Sequence, residues 1–458
     1  MKNSFCLTWL SVFFFALLTF SLSARPASGA GFAITEQSVS GLGNAFAGGA
    51  AIAQDASTIF YNPAGLVRIP GFQLVAGSSV IVPSFRFDNE GSTHASLSPL
   101  AGNSGGDARV TKGVPNLYLS QRVSDRLTLG LGINSPFGLA SDYDNGWVGR
   151  YYALDSDMFS LNINPAAAYR INDKLSIGAG LNFQYMKAEL SQAVDFGLIG
   201  YSFSLGLLPT QSNDGKATMK GDSWGYGFDL GLLYEFSKDT RAGLAYRSRI
   251  KQKLRGDVNW NVDPQFSAAV AALPQADPRY SLNYLFKNGN IKADVTLPDS
   301  LSLSLFHRYN EKWAVMADVT WTNWSLFHEL RVDFSNPDPD YVVTTDWKDT
   351  LRYSTGVNYA YNHNLVLKGG VAYDPTPVRD ASHATPRIPD GDRYWLAAGL
   401  SYKYSDRVNF DFGYTHIFVS NPEIDKPLTD PENTTKGELK GTYTAHVNIM
   451  SAQLRLNL

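Results

Sequence analysis

Long stretches of this chain alternate apolar and polar residues with period two, and six short polar turns of one kind punctuate them. The turns are Val-Ser124-Asp125-Arg-Leu, Ile-Asn172-Asp173-Lys-Leu, Phe-Ser237-Lys238-Asp239-Thr, Tyr-Asn310-Glu311-Lys-Trp, Tyr-Asn362-His363-Asn-Leu and Tyr-Ser405-Asp406-Arg-Val. Between one turn and the next lies a longer connection rich in Asp, Asn, Pro and Gly. Hairpins with tight turns at one end and long loops at the other predict an outer-membrane β-barrel. Six turns join strands in pairs; a first and a last strand ending on the short-turn side bring the total to about fourteen, an even number, with both termini facing the periplasm.

The alternation says which face meets lipid. Leu175, Ile177, Ala179, Leu181, Phe183 and Tyr185 form one face of a strand, and Ser176, Gly178, Gly180, Asn182 and Gln184 the other. A spanning strand needs such a face toward lipid while its backbone bonds to both neighbours. Leu127 to Asn134 and Val408 to Thr415 repeat the pattern, with Asp411 on an inner face that implies a wet lumen. Runs of about ten residues exceed the five or six usual in a soluble sandwich. From Trp313 to Trp321 the outward set begins and ends on tryptophan, and eight tilted steps rise roughly 20 Å, the height of an apolar band between two aromatic girdles.

Residues 1–30 carry Lys2, an apolar run from Phe5 to Phe20 and small residues ending at Ala30, the layout of a cleavable secretory signal. Cleavage is expected after Ala30, with Ala24 as the alternative. The single cysteine, Cys6, lies in this segment, which excludes disulfides and thiol catalysis from the mature chain. Removing Lys2 and Arg25 takes the formal charge from −3 to −5, giving no footprint for nucleic acid. Mean hydropathy is only −0.17, as in barrels whose strands are half polar.

Residues 31–70 lack sustained alternation yet are rich in small apolar residues, so they are expected to form a glycine-dependent plug in the lumen, with the barrel over 71–458. Within it, Ser40-Gly41-Leu42-Gly43-Asn44-Ala45-Phe46-Ala47-Gly48, the Ala-Ile-Ala-Gln-Asp run to Asp55, and Asn62-Pro63-Ala64 resemble the hatch of the FadL-type long-chain fatty acid transporters of the bacterial outer membrane. Asn134-Ser-Pro136-Phe137-Gly138-Leu139-Ala140 is similar to the kinked third strand of that family. The resemblance covers essentially the whole mature chain. It implies ligand capture among extracellular loops, passage into the barrel, and sideways release through a wall opening at the kink once the hatch moves. Gly41, Gly43, Asn62, Pro63 and Ala64 are then gate residues, and Pro136, Phe137 and Gly138 the opening. Independently, Pro136 lacks a ladder donor and must mark a break, unless it simply begins the extracellular loop.

Two loops are apolar for their position. Phe196, Leu198, Ile199, Tyr201, Phe203, Leu205, Leu207 and Leu208 crowd one, and Phe266 to Leu273 another. Exposed apolar surface of that density marks a binding site, or loops that pack on one another as a cap. For a fatty acid carboxylate, the resemblance implies Lys187, although its parity with Tyr185 points it outward; Arg150 and Arg379 are alternatives. Long-chain fatty acids are the expected ligand class, with aromatic hydrocarbons as the alternative. A general porin or adhesin is the remaining alternative, disfavoured by plug and loops. Gly221-Asp222-Ser223-Trp224-Gly225 matches a nucleophile elbow in spacing but runs into an alternating strand rather than a helix. The seven histidines have no zinc spacing. No enzyme, cofactor or metal is expected; the partners expected are a hydrophobic ligand, outer-membrane lipid and lipopolysaccharide around a monomer.

Overall fold

The structure is a computed structural model that describes residues 31–205 and 209–458; the expected signal segment and Leu207 and Leu208 lie outside them. The chain forms a closed antiparallel barrel of fourteen strands. Closure runs from Gln73↔Asn457 to Asn89↔Gly441, joining the first strand, Phe72–Asn89, to the last, Leu439–Asn457. All six polar turns are present in one geometry. In each, the residue before the Ser or Asn donates its N–H to the carbonyl four residues on, as from Val123 to Leu127 and from Tyr404 to Val408. The side chain then accepts the next amides: Asn172 Oδ1 takes those of Lys174 and Leu175 at 2.9 Å, and Asn310 and Asn362 do the same. A local acceptor that replaces a backbone turn is why Ser and Asn recur there.

Facing agrees with the alternation. In the fifth strand, Leu175–Asp195, Leu181 is 55% exposed while Asn182 is 1% exposed. Several strands are built in two pieces, and the third, Leu127–Asn134 and Gly138–Asp142, is interrupted at Ser135-Pro136-Phe137. The sixth, Asp214–Glu235, runs unbroken through Gly221-Asp222-Ser223-Trp224-Gly225, so no strand-to-helix elbow forms there.

The lumen at Asp411 is packed. Its carboxylate is 1% exposed and accepts from Gln453 (3.1 Å) and Ser401, with Lys368 Nζ 3.7 Å away. Short helices from residues 39–68 occupy that space, which corrects the expectation of a wet lumen at this position.

Candidate functional site

Four short helices, Val39–Leu42, Gly49–Ile52, Thr58–Tyr61 and the 3₁₀ turn Pro63–Arg68, pack on the inner face of the barrel. Helices this short leave most carbonyls without an internal partner. Inward-facing cations of the barrel supply donors: Arg241 to Ala51 and Ile52 O (2.6 Å each), Arg247 to Phe60 O (2.7 Å), Arg352 to Ala45 O (2.9 Å) and Lys368 to Ser40 O (2.8 Å). Sequence reasoning passed over these cations, although each sits at an inner-face position of a strand.

The expected gate residues fall in this segment. Asn62 is fully buried; its amide donates to Ala50 O (2.6 Å) and Leu232 O (3.0 Å), and its Oδ1 accepts from Ala64 N–H (3.0 Å). Pro63 opens the 3₁₀ turn, where its missing N–H costs nothing. A side chain on Gly43 would stand 2.8 Å from the Cα of Gly399 in the wall, and one on Gly41 2.9 Å from the Phe46 ring. Both glycines therefore serve close packing.

At the interruption of the third strand the wall loses a ladder. Leu127–Asn134 pairs with the second strand, from Arg122↔Thr128 to Leu117↔Ile133, whereas among the described residues Gly138–Asp142 forms a strand ladder only with the fourth strand. Opposite that piece, the Lys112–Asn116 half of the second strand has, among the described residues, a backbone ladder only with the first, and Lys112 Nζ reaches the Asp157 carboxylate of the fourth strand (2.6 Å) across the gap. Pro136 is thus a break within the wall. The N-terminal segment fills in: Ile34 N–H donates to Pro136 O (2.9 Å), Gly138 N–H to Phe32 O (3.1 Å), and Ala33 faces Phe137. Gln37, fully buried, donates to Ser135 O (2.7 Å) and accepts from Ser135 N–H (3.0 Å).

Two cavities meet this segment. One of about 200 Å³ lies behind the gap, with Gly113 and Val114 on one edge, Gly138 and Leu139 on the other, and Phe32 and Ile34 within. The other, about 150 Å³ and more polar, lies beside Phe60 and Tyr61. Ala33 and Ile34 line both, which makes residues 32–35 a partition between them.

A third cavity of about 980 Å³ sits among the extracellular loops, lined by Leu198, Ile199, Phe203, Leu282, Phe286 and Trp260 among others. The apolar loops both cap and line it. Helix Phe196–Ser202, capped by the Asp195 carboxylate on Leu198 N–H, packs on helix Pro264–Ala271 through Phe196 and Phe266, whose rings are 4.9 Å apart. Phe196 is fully buried in that contact and Leu205 packs against it, so neither lines the cavity; Tyr201 is 70% exposed and points away.

The expected cations are elsewhere. Lys187 is exposed on the outer face, because the fifth strand continues unbroken to Asp195 and parity holds. Arg150 is buried and tied to Asp214 (2.6 Å), and Arg379 is exposed on a loop. The cation that does reach the cavity is Lys436. Its Nζ lies over the rings of Tyr152 (5.4 Å) and Tyr341 (5.1 Å), and among the described residues no carboxylate lies within salt-bridge distance of it. Burial pushes its pKa down to about 8. Between this cavity and the one at the gap stands Arg387, which donates to Tyr341 OH (3.1 Å) and Gln192 Oε1 (3.3 Å).

Residues 20–458 match the family described as outer membrane protein transport protein (OMPP1/FadL/TodX). The chain belongs to this family. It is 31% identical over 410 residues to the long-chain fatty acid transport protein of Escherichia coli O6:H1, covering 87% of this chain and 89% of that one. It is 30% identical over 466 residues to outer membrane protein P1 of Haemophilus influenzae, covering 94% and 96%. A solved Pseudomonas aeruginosa FadL homologue superposes with TM-score 0.84 at 25% identity over 93% of this chain and all of that one. The Pseudomonas putida toluene transporter TodX shares the fold, with TM-score 0.69 at 18% identity over 93% and 99% of the two chains. Family membership makes this an outer-membrane transporter of hydrophobic compounds, in a family of transporters and channels rather than enzymes.

Proposed function

We propose that this protein takes up long-chain fatty acids, capturing them in the 980 Å³ loop cavity and releasing them sideways through the gap in the third strand. The observation that carries the reading is Lys436. A cation with two aromatic neighbours and no carboxylate within salt-bridge distance among the described residues, the nearby Glu432 lying against Lys426 instead (4.0 Å), in a cavity lined mostly by apolar side chains, matches a ligand with a long hydrocarbon tail and one anionic head. From the cavity the path leads past Arg387 toward the space behind the gap. There residues 32–35 bond to both sides of Pro136-Phe137-Gly138 and hold the passage shut. Release requires this segment to leave the kink, and Asn62, Pro63 and Ala64 keep the rest of the hatch in shape while it does.

The E. coli relative is named for fatty acid transport, which supports the same reading. An aromatic hydrocarbon is the second reading, favoured by the aromatic lining at Phe203, Trp260 and Phe286. Equilibrium binding of oleate and of toluene to the detergent-purified protein distinguishes them. Oleate binding that depends on Lys436 supports the proposal; tight toluene binding with oleate indifferent to Lys436 overturns it.

A further inference from the structure

The outer face of the seventh strand carries a stripe of cations outside the lumen and the loop cavity. Arg249, Lys251, Lys253 and Arg255 are all exposed, and alternate with buried Ile250, Gln252 and Leu254. Parity therefore sets all four on the outer surface of the wall. Arg249 pairs with Asp299 (3.3 Å) and Arg255 with Asp294 (3.0 Å), but among the described residues Lys251 and Lys253 have no carboxylate within salt-bridge distance. Across the ladder Lys251 faces Thr296, and Lys253 faces Asp294, which is already engaged by Arg255.

The height of the stripe identifies what it meets. Tyr246 lies just before it on the same strand, and on the sixth strand Trp224 and Tyr226 are 50% and 68% exposed. Exposed Trp and Tyr on the outer face of a barrel mark the boundary between hydrocarbon and head groups. The stripe crosses that boundary toward the long-loop, extracellular end: the register sets Arg255 level with Asp222, and so Lys253 and Lys251 beside Trp224 and Tyr226. Six residue steps cover roughly 20 Å along the strand, enough to meet more than one head-group charge. Lysines at a membrane boundary attract anionic lipid head groups.

We propose that Lys251 and Lys253, flanked by Arg249 and Arg255, bind the phosphate groups of lipopolysaccharide in the outer leaflet. Lipopolysaccharide presents phosphates at this depth, and Trp224 and Tyr226 supply amphipathic rings for the sugar and acyl boundary beside them. The site is on the lipid side of the wall and is separate from ligand capture.

The test uses full-length mature protein refolded in neutral detergent, free of lipopolysaccharide, with thermal unfolding followed on addition of purified lipopolysaccharide or its dephosphorylated form. The proposal expects an upward shift in midpoint with the phosphorylated form alone, abolished in Lys251→Glu with Lys253→Glu and reduced in Lys251→Gln with Lys253→Gln. A control reversal on the opposite rim, Lys238→Glu with Lys312→Glu, keeps the shift. Heat-modifiable gel migration verifies that each variant is folded. An equal shift in wild type and Lys251→Glu with Lys253→Glu, or an equal shift with dephosphorylated lipopolysaccharide, overturns the proposal.

Discussion

Replacing Lys436 with methionine isolates the head-group contact. Methionine keeps an unbranched chain between Tyr152 and Tyr341 and removes only the charge. A hydrogen bond to a charged group contributes about 1.5–3 kcal/mol net, which is roughly a 10- to 150-fold weakening of oleate binding. Toluene carries no charge and should bind the variant as it binds wild type. The free lysine loses its proton as pH rises through about 8, while a fatty acid carboxylate stays ionised above roughly pH 5. Oleate affinity should therefore be highest between these limits and fall above pH 8 toward that of Lys436→Met, the bound carboxylate delaying the fall by holding the ammonium charged. Toluene affinity should stay flat across the range. Displacement of a fluorescent fatty acid from detergent-purified protein measures all of this. If oleate binds Lys436→Met as tightly as wild type at pH 7, or if toluene and oleate weaken together, Lys436 is not a carboxylate partner.

Two further variants probe the gate. Asn62→Ala leaves Ala50 O and Leu232 O without their donor and should destabilise the hatch locally by about 1–3 kcal/mol; hydrogen exchange in residues 50–66 should accelerate and uptake fall, with heat-modifiable migration unchanged. Pro136→Val with Gly138→Val restores a ladder donor and puts a side chain 2.7 Å from Ile34 Cδ1; oleate uptake should drop while binding in the loop cavity persists, and full uptake would mean that ligand leaves by another route.

The barrel was legible because its signals are local. Each polar turn carries its own acceptor within three residues, and each strand its own alternation, so count and facing follow without tertiary information. Pro136 was legible for the same reason, since a missing N–H is a property of one residue. The site was legible only where function is local. Leu198, Ile199 and Phe203 do line the cavity, but Phe196, in the same short run, turns into the contact with Phe266, and only the docking of two loops decides between those fates. Lys436 was invisible because its significance depends on Tyr152 and Tyr341, which lie hundreds and tens of positions away along the chain. Lys187 shows the converse: strand parity already pointed it outward, and that local signal was correct.

For ligand to leave, residues 32–35 must separate from the kink. Ala33 and Phe137 face each other as a non-hydrogen-bonded antiparallel pair, flanked by the Ile34–Pro136 and Gly138–Phe32 bonds, a spacing that accommodates a disulfide. The only natural cysteine is Cys6, so a chain processed beyond it and carrying Ala33→Cys with Phe137→Cys holds just that pair. Oleate uptake into cells or proteoliposomes, measured before and after reduction, is the direct test. The oxidised protein should bind oleate without transporting it, and reduction should restore transport; transport at the wild-type rate with the disulfide intact would contradict gating by this segment.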